Sequence, residues 1–521
     1  MSYNVLLAEI SVTPAGGSET ILRVSDGPVR PWPPTDPDRP NAITAEILVE
    51  TSEIGVDLYA DLTRLASGYG SASLALSATA GGLAIYDGAH WGAVAIYLGE
   101  VAQDGAPRPF AEWTPLLRGR VDTARLDLDI SGPSRLRLAV FDPRGDLDSD
   151  VQDRTYAGTN TGATGYEGAA EDIAGRPVPL ALGDLLRANI SPPCVNTARQ
   201  VYQLNDGGEF GAEVLRAGGG DSGATMAGDL TPAAFDAASP TPGSYVRDRE
   251  RGLIALGGGI ITGQLTVCLQ GAQGGSYVHT APALITRLLT RAGVDAGAIG
   301  DSFGTIDAPA PVGLWLDQPT SYRAAIETLA RSIGAWCVPD DLGVWQIGRL
   351  EAPSGAPAEV LDGLSIRDLI EDDPTDSIPA WRITVRYARN YTVMRRADLA
   401  GAVQETDRAA ELAREWREAG WSDPATKAAY GAAARDLIVE SALVEAADAH
   451  ALAASLGTLF GVRRRSWRVV VELTAARRAW QVGTTCIELD YPALGISGLY
   501  RVIGRRLLSP ASHLITFRLW G

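Results

Sequence analysis

The first residues able to do chemistry are the carboxylates of Asp146-x-Asp148-x-Asp150. Acidic side chains at alternate positions match the opening of a calcium loop, where hard oxygen ligands gather around the ion. An EF-hand also needs Gly at its sixth position for a sharp turn and a bidentate Glu at its twelfth. Val151 and Ala157 hold those places, so the expectation is a solvated acidic turn after a strand, with a bound divalent ion as the alternative. The run Gly158-Thr-Asn-Thr-Gly-Ala-Thr-Gly165 has the glycine content of a phosphate loop. It lacks the Gly-Lys-Ser/Thr ending, and no strong helical pattern follows to aim backbone N–H groups at an anion. A flexible loop is expected there.

The four histidines, His90, His279, His450 and His513, sit in no H-E-x-x-H or H-x-E context, and no G-x-S-x-G elbow is present. Carboxylates are abundant, but no spacing singles out a glycosidase pair. Cys194, Cys268, Cys337 and Cys486 lie far apart, whereas zinc and iron–sulfur sites show at least one close pair. They are expected to be buried, reduced thiols. Twelve tryptophans are a surplus. Trp32, Trp91 and Trp113 fall in a loop-rich region, where packing is expected and stacking on sugars or anchoring an interface is the alternative. Arg463-Arg464-Arg465 is a basic run that either meets an acidic neighbouring subunit or simply begins a strand. The sequence therefore assigns no catalytic, cofactor-binding or metal site and no cofactor, and the expectation is that the chain is not an enzyme.

The elements around these residues read as mainly β, with α+β modules, in several domains. Residues 1–150 alternate strands and turns, interrupted by a Pro-rich stretch from Pro28 to Pro40. Arg125-Leu-Asp-Leu-Asp-Ile130 and Arg135-Leu-Arg-Leu-Ala-Val140 alternate strictly, as strands with one wet face do. Residues 151–280 are Gly-rich, with short strands such as Gln200–Leu204 before the turn Asn205-Asp-Gly-Gly208. Residues 281–352 form a helix-plus-hairpin module. Apolar spacing predicts helices over Ala283–Ala292 and Tyr322–Ile333, the second capped by Thr320 or Ser321 and ended by Gly334. A hairpin over 335–347 follows. Residues 353–521 read as a C-terminal β domain with a helical insertion at about 405–460, carrying helices at Glu405–Ala419 and Ala446–Phe460. Its last four strands suit a small barrel or closed sheet.

Composition narrows the classes further. The chain has 521 residues, 45% of them hydrophobic, and a formal net charge of −18. That surface repels phosphate backbones, so no specific nucleic-acid binding is expected. No stretch of about 18 uncharged apolar residues occurs, so no membrane span is expected. Met1–Glu9 lacks the basic start and apolar run of a signal peptide, which makes the cytoplasm the expected place of assembly. Basic residues are nearly all Arg, with Lys427 the sole lysine, a bias typical of GC-rich coding.

Three segments resemble a family of tail proteins from phages and prophages of GC-rich bacteria. The first runs from Arg118-Gly-Arg-Val121 to Asp142-Pro143. The second and most specific joins Tyr156-Ala-Gly-Thr-Asn160, Glu167-Gly168, Asp172-Ile-Ala-Gly-Arg-Pro-Val-Pro-Leu180, Gly183, Pro193-Cys-Val-Asn196 and Val201-Tyr-Gln-Leu-Asn-Asp-Gly207. The third joins Trp480-Gln-Val-Gly483, Tyr500-Arg-Val-Ile-Gly504 and Leu519-Trp-Gly521. The resemblance implies a baseplate hub-type virion protein at the tail tip of a long-tailed phage, built from tube-like β domains and assembled in the host cytoplasm. It implies a homotrimer that connects the distal tail or tail tube protein, the tape measure protein and other tip or fibre proteins, and that lines the DNA ejection path. Some tail-tip proteins hold an iron–sulfur cluster on closely spaced cysteines; this chain lacks that spacing. A receptor- or glycan-binding tip protein is the first alternative, a cell-wall hydrolase the second.

Overall fold

The computed structural model describes residues 2–51, 54–59, 61–62, 65–66, 68, 70–77, 88–127, 134–162, 164–208, 210–258, 263–271, 277–372, 377–509 and 513–521. The chain is 44% strand and 19% helix, arranged in several sheets, a multidomain β-rich architecture. The alternating strand expected over Arg125–Ile130 is described only to Asp127; its last three residues lie outside the described residues.

The largest sheet has 14 strands among the described residues. It begins at Thr20–Ser25 and passes through Ser2–Thr13, His90–Ala102, Thr114–Asp127, Arg135–Phe141, Ser71–Ser77 and Ile54–Asp57. From there it continues directly into the C-terminal strands Ile496–Ser509, Leu514–Trp520 and Ser466–Glu472, and ends at Ile366–Glu371. The join is an antiparallel register of Asp57 with Gly504 and Ile54 with Leu507. Side chains from both ends of the chain fill one apolar cluster, in which Leu6, Leu74 and Leu138 meet Val469, Phe517 and Leu519. Fully burying each such side chain is worth about 1.5–3 kcal/mol, so this shared core binds the two ends strongly.

The C-terminal strands pair with one another as expected, but among the described residues no closed barrel forms. The reason lies in Ile496–Ser509. One of its edges is taken by Leu514–Trp520. Its other edge is divided, the first half pairing with Cys486–Tyr491 and the second with Ile54–Asp57. The edge that would close a barrel is occupied by a strand from the N-terminal region.

The helix-plus-hairpin module matches its sequence signals. Helices Ala281–Arg291 and Tyr322–Arg331 pack on each other, each burying its apolar stripe. Ser321 accepts a hydrogen bond from the Ala324 N–H at 3.2 Å, which satisfies an orphan donor of the second helix. Gly334, at φ +64°, turns the chain into the hairpin Ala335–Pro339 and Trp345–Arg349.

Two further expectations need correction. The helix expected over Glu405–Ala419 is one short helix, Asp407–Leu412, followed by the strand Arg417–Ser422. That strand pairs with Ala380–Tyr387, which also pairs in parallel with Arg435–Glu440. Helix Ala446–Phe460 forms as expected and packs on this small sheet, and the Trp421 ring lies against Gly457, where a β-carbon would come within 2.4 Å of it. Packing Trp421 under the helix draws Arg417–Ala419, the end of the stretch read as helical, into a strand. Second, the run expected to be a flexible loop forms a small antiparallel hairpin, Thr159–Thr161 with Thr164–Ala169. The Asn160 carboxamide oxygen accepts from the Glu167 N–H at 2.8 Å, and the Gly158 N–H donates to the Glu167 carbonyl at 3.0 Å. These bonds give the backbone partners that a solvated loop would find in water.

Candidate functional site

The three aspartates do not converge. Asp146 pairs with Arg120 at 2.8 Å and Asp148 with Arg323 at 2.8 Å. Asp150 lies in a β-bridge with Ser321. Two of the carboxylates are thus turned to guanidinium groups on separate elements. Among the described residues no cluster of His, Cys, Asp and Glu could hold a metal ion. Beside them, Asp142 is buried and tied to the equally buried Arg144.

The most specific resemblance segment is also spent on holding backbone. The Asn205 carboxamide oxygen accepts from the Ala181 N–H at 2.9 Å, and its amide donates to the Gly207 carbonyl at 2.8 Å. Gly252 packs so closely on Asn205 that a β-carbon would lie 2.1 Å from the Asn205 carbonyl oxygen. Arg199 donates to the carbonyls of Phe235 and Ala238 at 2.8 and 3.1 Å and to the Tyr166 hydroxyl at 2.6 Å. The Tyr156 N–H donates to the Arg176 carbonyl at 2.9 Å. Polar side chains of this kind fix loop geometry between two five-stranded sheets.

The loop tryptophans divide. Trp32 and Trp113 are buried, 5.4 Å apart, with Phe110 edge-on to Trp32 at 6.0 Å. Trp113 lies flat on Gly99, where a β-carbon would fall 2.1 Å from the ring. Trp91 alone is half-buried, beside His90, Arg120 and Asp146 in a surface cleft. Two of the three are therefore core residues and present no face to a sugar.

The basic run is anchored within the chain. Arg465 grips Glu371 at 2.9 and 3.0 Å and lies 4.1 Å from the centre of the Trp467 ring. Arg464 donates to the Leu459 carbonyl at 2.8 Å and stands 5.0 Å from the Trp520 ring centre. Arg463 is exposed. All four cysteines are unpaired, and three are buried; burial pushes the Cys337 thiol up to about 12, which keeps it protonated. The histidines are dispersed. His279 stacks on Tyr277, His450 bonds the Ala446 carbonyl, and His513 meets Asn4.

Sequence reasoning missed one feature. A cleft of about 450 Å³ opens where strands Leu180–Ile190 and Gly313–Leu316 meet the end of helix Tyr322–Arg331 and the segments carrying Tyr391, Trp416 and Glu440. Arg187, Arg331 and Arg389 line it together with Asp184, Asp317 and Glu440. These residues are spread over about half the chain, so no motif spacing signals them. Arg389 lies 4.9 Å from the centre of the Tyr391 ring and 5.3 Å from that of Trp416. The Tyr391 hydroxyl accepts the Trp315 N–H at 3.0 Å, in the place where a neighbouring strand's carbonyl would stand.

No family model matches the sequence, and no curated protein matches it. Solved structures with a similar course of chain do exist. A tail protein from Neisseria meningitidis MC58 has a TM-score of 0.42 at 11% identity, covering 99% of this chain and 96% of its own. The 43 kDa tail protein of prophage MuSo2 from Shewanella oneidensis has the same TM-score and identity, with 98% of each chain covered. Prophage tail protein gp18 from Listeria monocytogenes EGD-e has a TM-score of 0.36 at 9% identity, covering 98% of this chain and 94% of its own. Likeness at this level assigns no role to this chain.

Proposed function

We propose that the chain is a structural, non-enzymatic component of a phage tail tip, a baseplate hub that joins the tail tube to the tip proteins. The observation that carries this reading is the fate of the segment with the most specific resemblance to tail proteins. Asn160, Asn196 and Asn205, all within that segment, each hold backbone groups. A part whose work is mechanical needs such rigid loops. The large sheet also ends in strands Thr20–Ser25 and Ile366–Glu371 without closing, and open sheet ends favour pairing in an assembly.

In this reading three copies close into a ring around the DNA path, in contact with the tube and tape measure proteins. Cyclic closure requires a heterologous contact that returns on itself. A charge of −18 per chain opposes association at low salt and lets DNA slide past without sticking. Electron microscopy of the purified protein and of intact particles, with mass photometry across a salt series, tests the assignment. A three-fold ring at the distal tail is expected. A six-fold ring would make the chain a distal tube protein, and a peripheral fibre position would make it a receptor-binding one. A lytic band on peptidoglycan, lost with one carboxylate, would make it a hydrolase.

A further inference from the structure

We propose that the surface cleft between Arg468 and Arg518 binds a phosphate-type oxyanion, free or as a small monoester. The proposal is independent of the tail assignment. Strands Ser466–Glu472 and Leu514–Trp520 are antiparallel neighbours, and their register sets Arg468 directly opposite Arg518 and Val470 opposite Thr516. On the next strand, Arg506 stands opposite Thr516. Side chains alternate between faces along a strand. Arg468, Arg506, Thr516 and Arg518 therefore share the outer face, while Val469, Phe517 and Leu519 fill the core behind it. With Asp57, Asp372 and Arg505 they line a cleft of about 170 Å³. Every lining residue is polar, and four guanidiniums stand against two carboxylates among the described residues.

Like charges directly opposite on neighbouring strands are destabilising. The chain keeps Arg468 and Arg518 together by dividing one carboxylate between them. The Asp372 Oδ2 accepts from the Arg518 Nε at 2.6 Å, and its Oδ1 stands 3.2 Å from the Arg468 Nε. Arg518 also donates from Nη1 to the Tyr59 carbonyl at 2.9 Å. Both guanidiniums are thus anchored, and neither is sealed from solvent: the Arg468 side chain is 54% exposed and that of Arg518 21%. Arg505 is committed to Asp341 and Arg506 to Asp57, so these two contribute positive field. The Nη groups of Arg468, the Nη2 of Arg518 and the Thr516 hydroxyl have no acceptor among the described residues. One shared aspartate leaves the opposed arginines half neutralised, and a bound anion would complete the neutralisation.

The ligand class follows from the directions of these donors. A planar carboxylate fills one guanidinium fork. Donors arriving from two guanidiniums and a hydroxyl, on adjacent strands, suit the separately directed oxygens of a tetrahedral oxyanion. The small cleft admits one such group, and the net charge of −18 holds off a long polyanion such as duplex DNA.

Thermal unfolding of the full chain, titrated with inorganic phosphate at constant ionic strength balanced by chloride, tests this. A ligand that binds only the folded state raises the melting temperature saturably. A saturable rise with phosphate is expected, with sulfate competing and acetate giving none. Arg468 is exposed and outside the core, so Arg468→Gln should fold and should weaken phosphate binding about tenfold. Arg468→Lys, which keeps the charge but loses the fork, should weaken it less. Asp372→Asn removes the competing carboxylate, so it should bind phosphate more tightly while melting lower without it. No saturable rise, an equal rise with acetate, an unchanged affinity in Arg468→Gln, or tighter binding of a DNA duplex than of phosphate would overturn the proposal.

Discussion

Asp142 and Arg144, two residues apart, form a buried ion pair, with the Asp142 Oδ2 accepting from the Arg144 Nη2 at 2.5 Å and Nε at 2.8 Å. The same carboxylate accepts the Gly70 N–H at 2.7 Å, and Arg144 donates onward to the Asp57 carbonyl at 3.0 Å. Asp57 belongs to the strand that joins the N-terminal half of the large sheet to the C-terminal half. The pair therefore locks the join.

Removing one partner leaves the other charge buried. Asp142→Ala should destabilise the chain by about 3–5 kcal/mol. Denaturant unfolding measures it. A loss near zero would mean that the pair is solvated.

The Trp32–Trp113 contact predicts a stability effect and not a binding effect. Trp113→Ala should cost about 3–5 kcal/mol, as for other buried aromatics. Glycan-array binding should be the same for the folded variant and the parent. Glycan binding abolished in a variant of unaltered melting temperature would restore the sugar-binding alternative.

Glu9 gives a pH dependence. Burial pushes its carboxyl up, but hydrogen bonds and charge from Arg39 and Arg23, each 2.7 Å away, outweigh burial and hold it below the usual carboxylate range. A group depressed in the folded state adds stability above its unfolded value, roughly 4.3, and that stability is lost as pH falls through the folded value. Glu9→Gln should therefore be less stable than the parent at neutral pH, and the difference should shrink in acid. Thermal unfolding across pH 2 to 7 follows it, about the range over which carboxylates titrate. A difference that grows in acid would reverse the sign and refute the assignment.

The acidic surface predicts negligible affinity for double-stranded DNA at physiological salt. A gel shift at low micromolar protein checks this. Tight, salt-sensitive binding would contradict the proposed role in lining a DNA path.

Local structure was legible wherever neighbours in sequence supply the contacts. The Ser321 cap, the stripe of Tyr322, Ile326 and Leu329, and the left-handed turn at Gly334 are all set within a few residues of one another. Apolar period and turn chemistry encode that geometry directly, so helix, turn and hairpin could be placed without knowledge of the rest. The mainly β class followed in the same way from alternating runs such as Arg135–Val140.

Only the tertiary structure decided which edges pair and which charges remain single. The helical pattern read from Glu405 runs to Ala419, yet Arg417–Ser422 is a strand because Ala380–Tyr387 and the helix above Trp421 offer more burial. Ile54–Asp57 meets Ile496–Ser509, and Arg506 reaches Asp57 at 3.0 Å across 449 positions of sequence. Backbone hydrogen bonds between such strands are alike whatever side chains they carry, so sequence specifies that an edge exists but not what fills it. Arg331 is the same case in charge. An arginine reads identically in sequence whether its partner is present or missing, and only the packing around the cleft leaves this one without an acceptor.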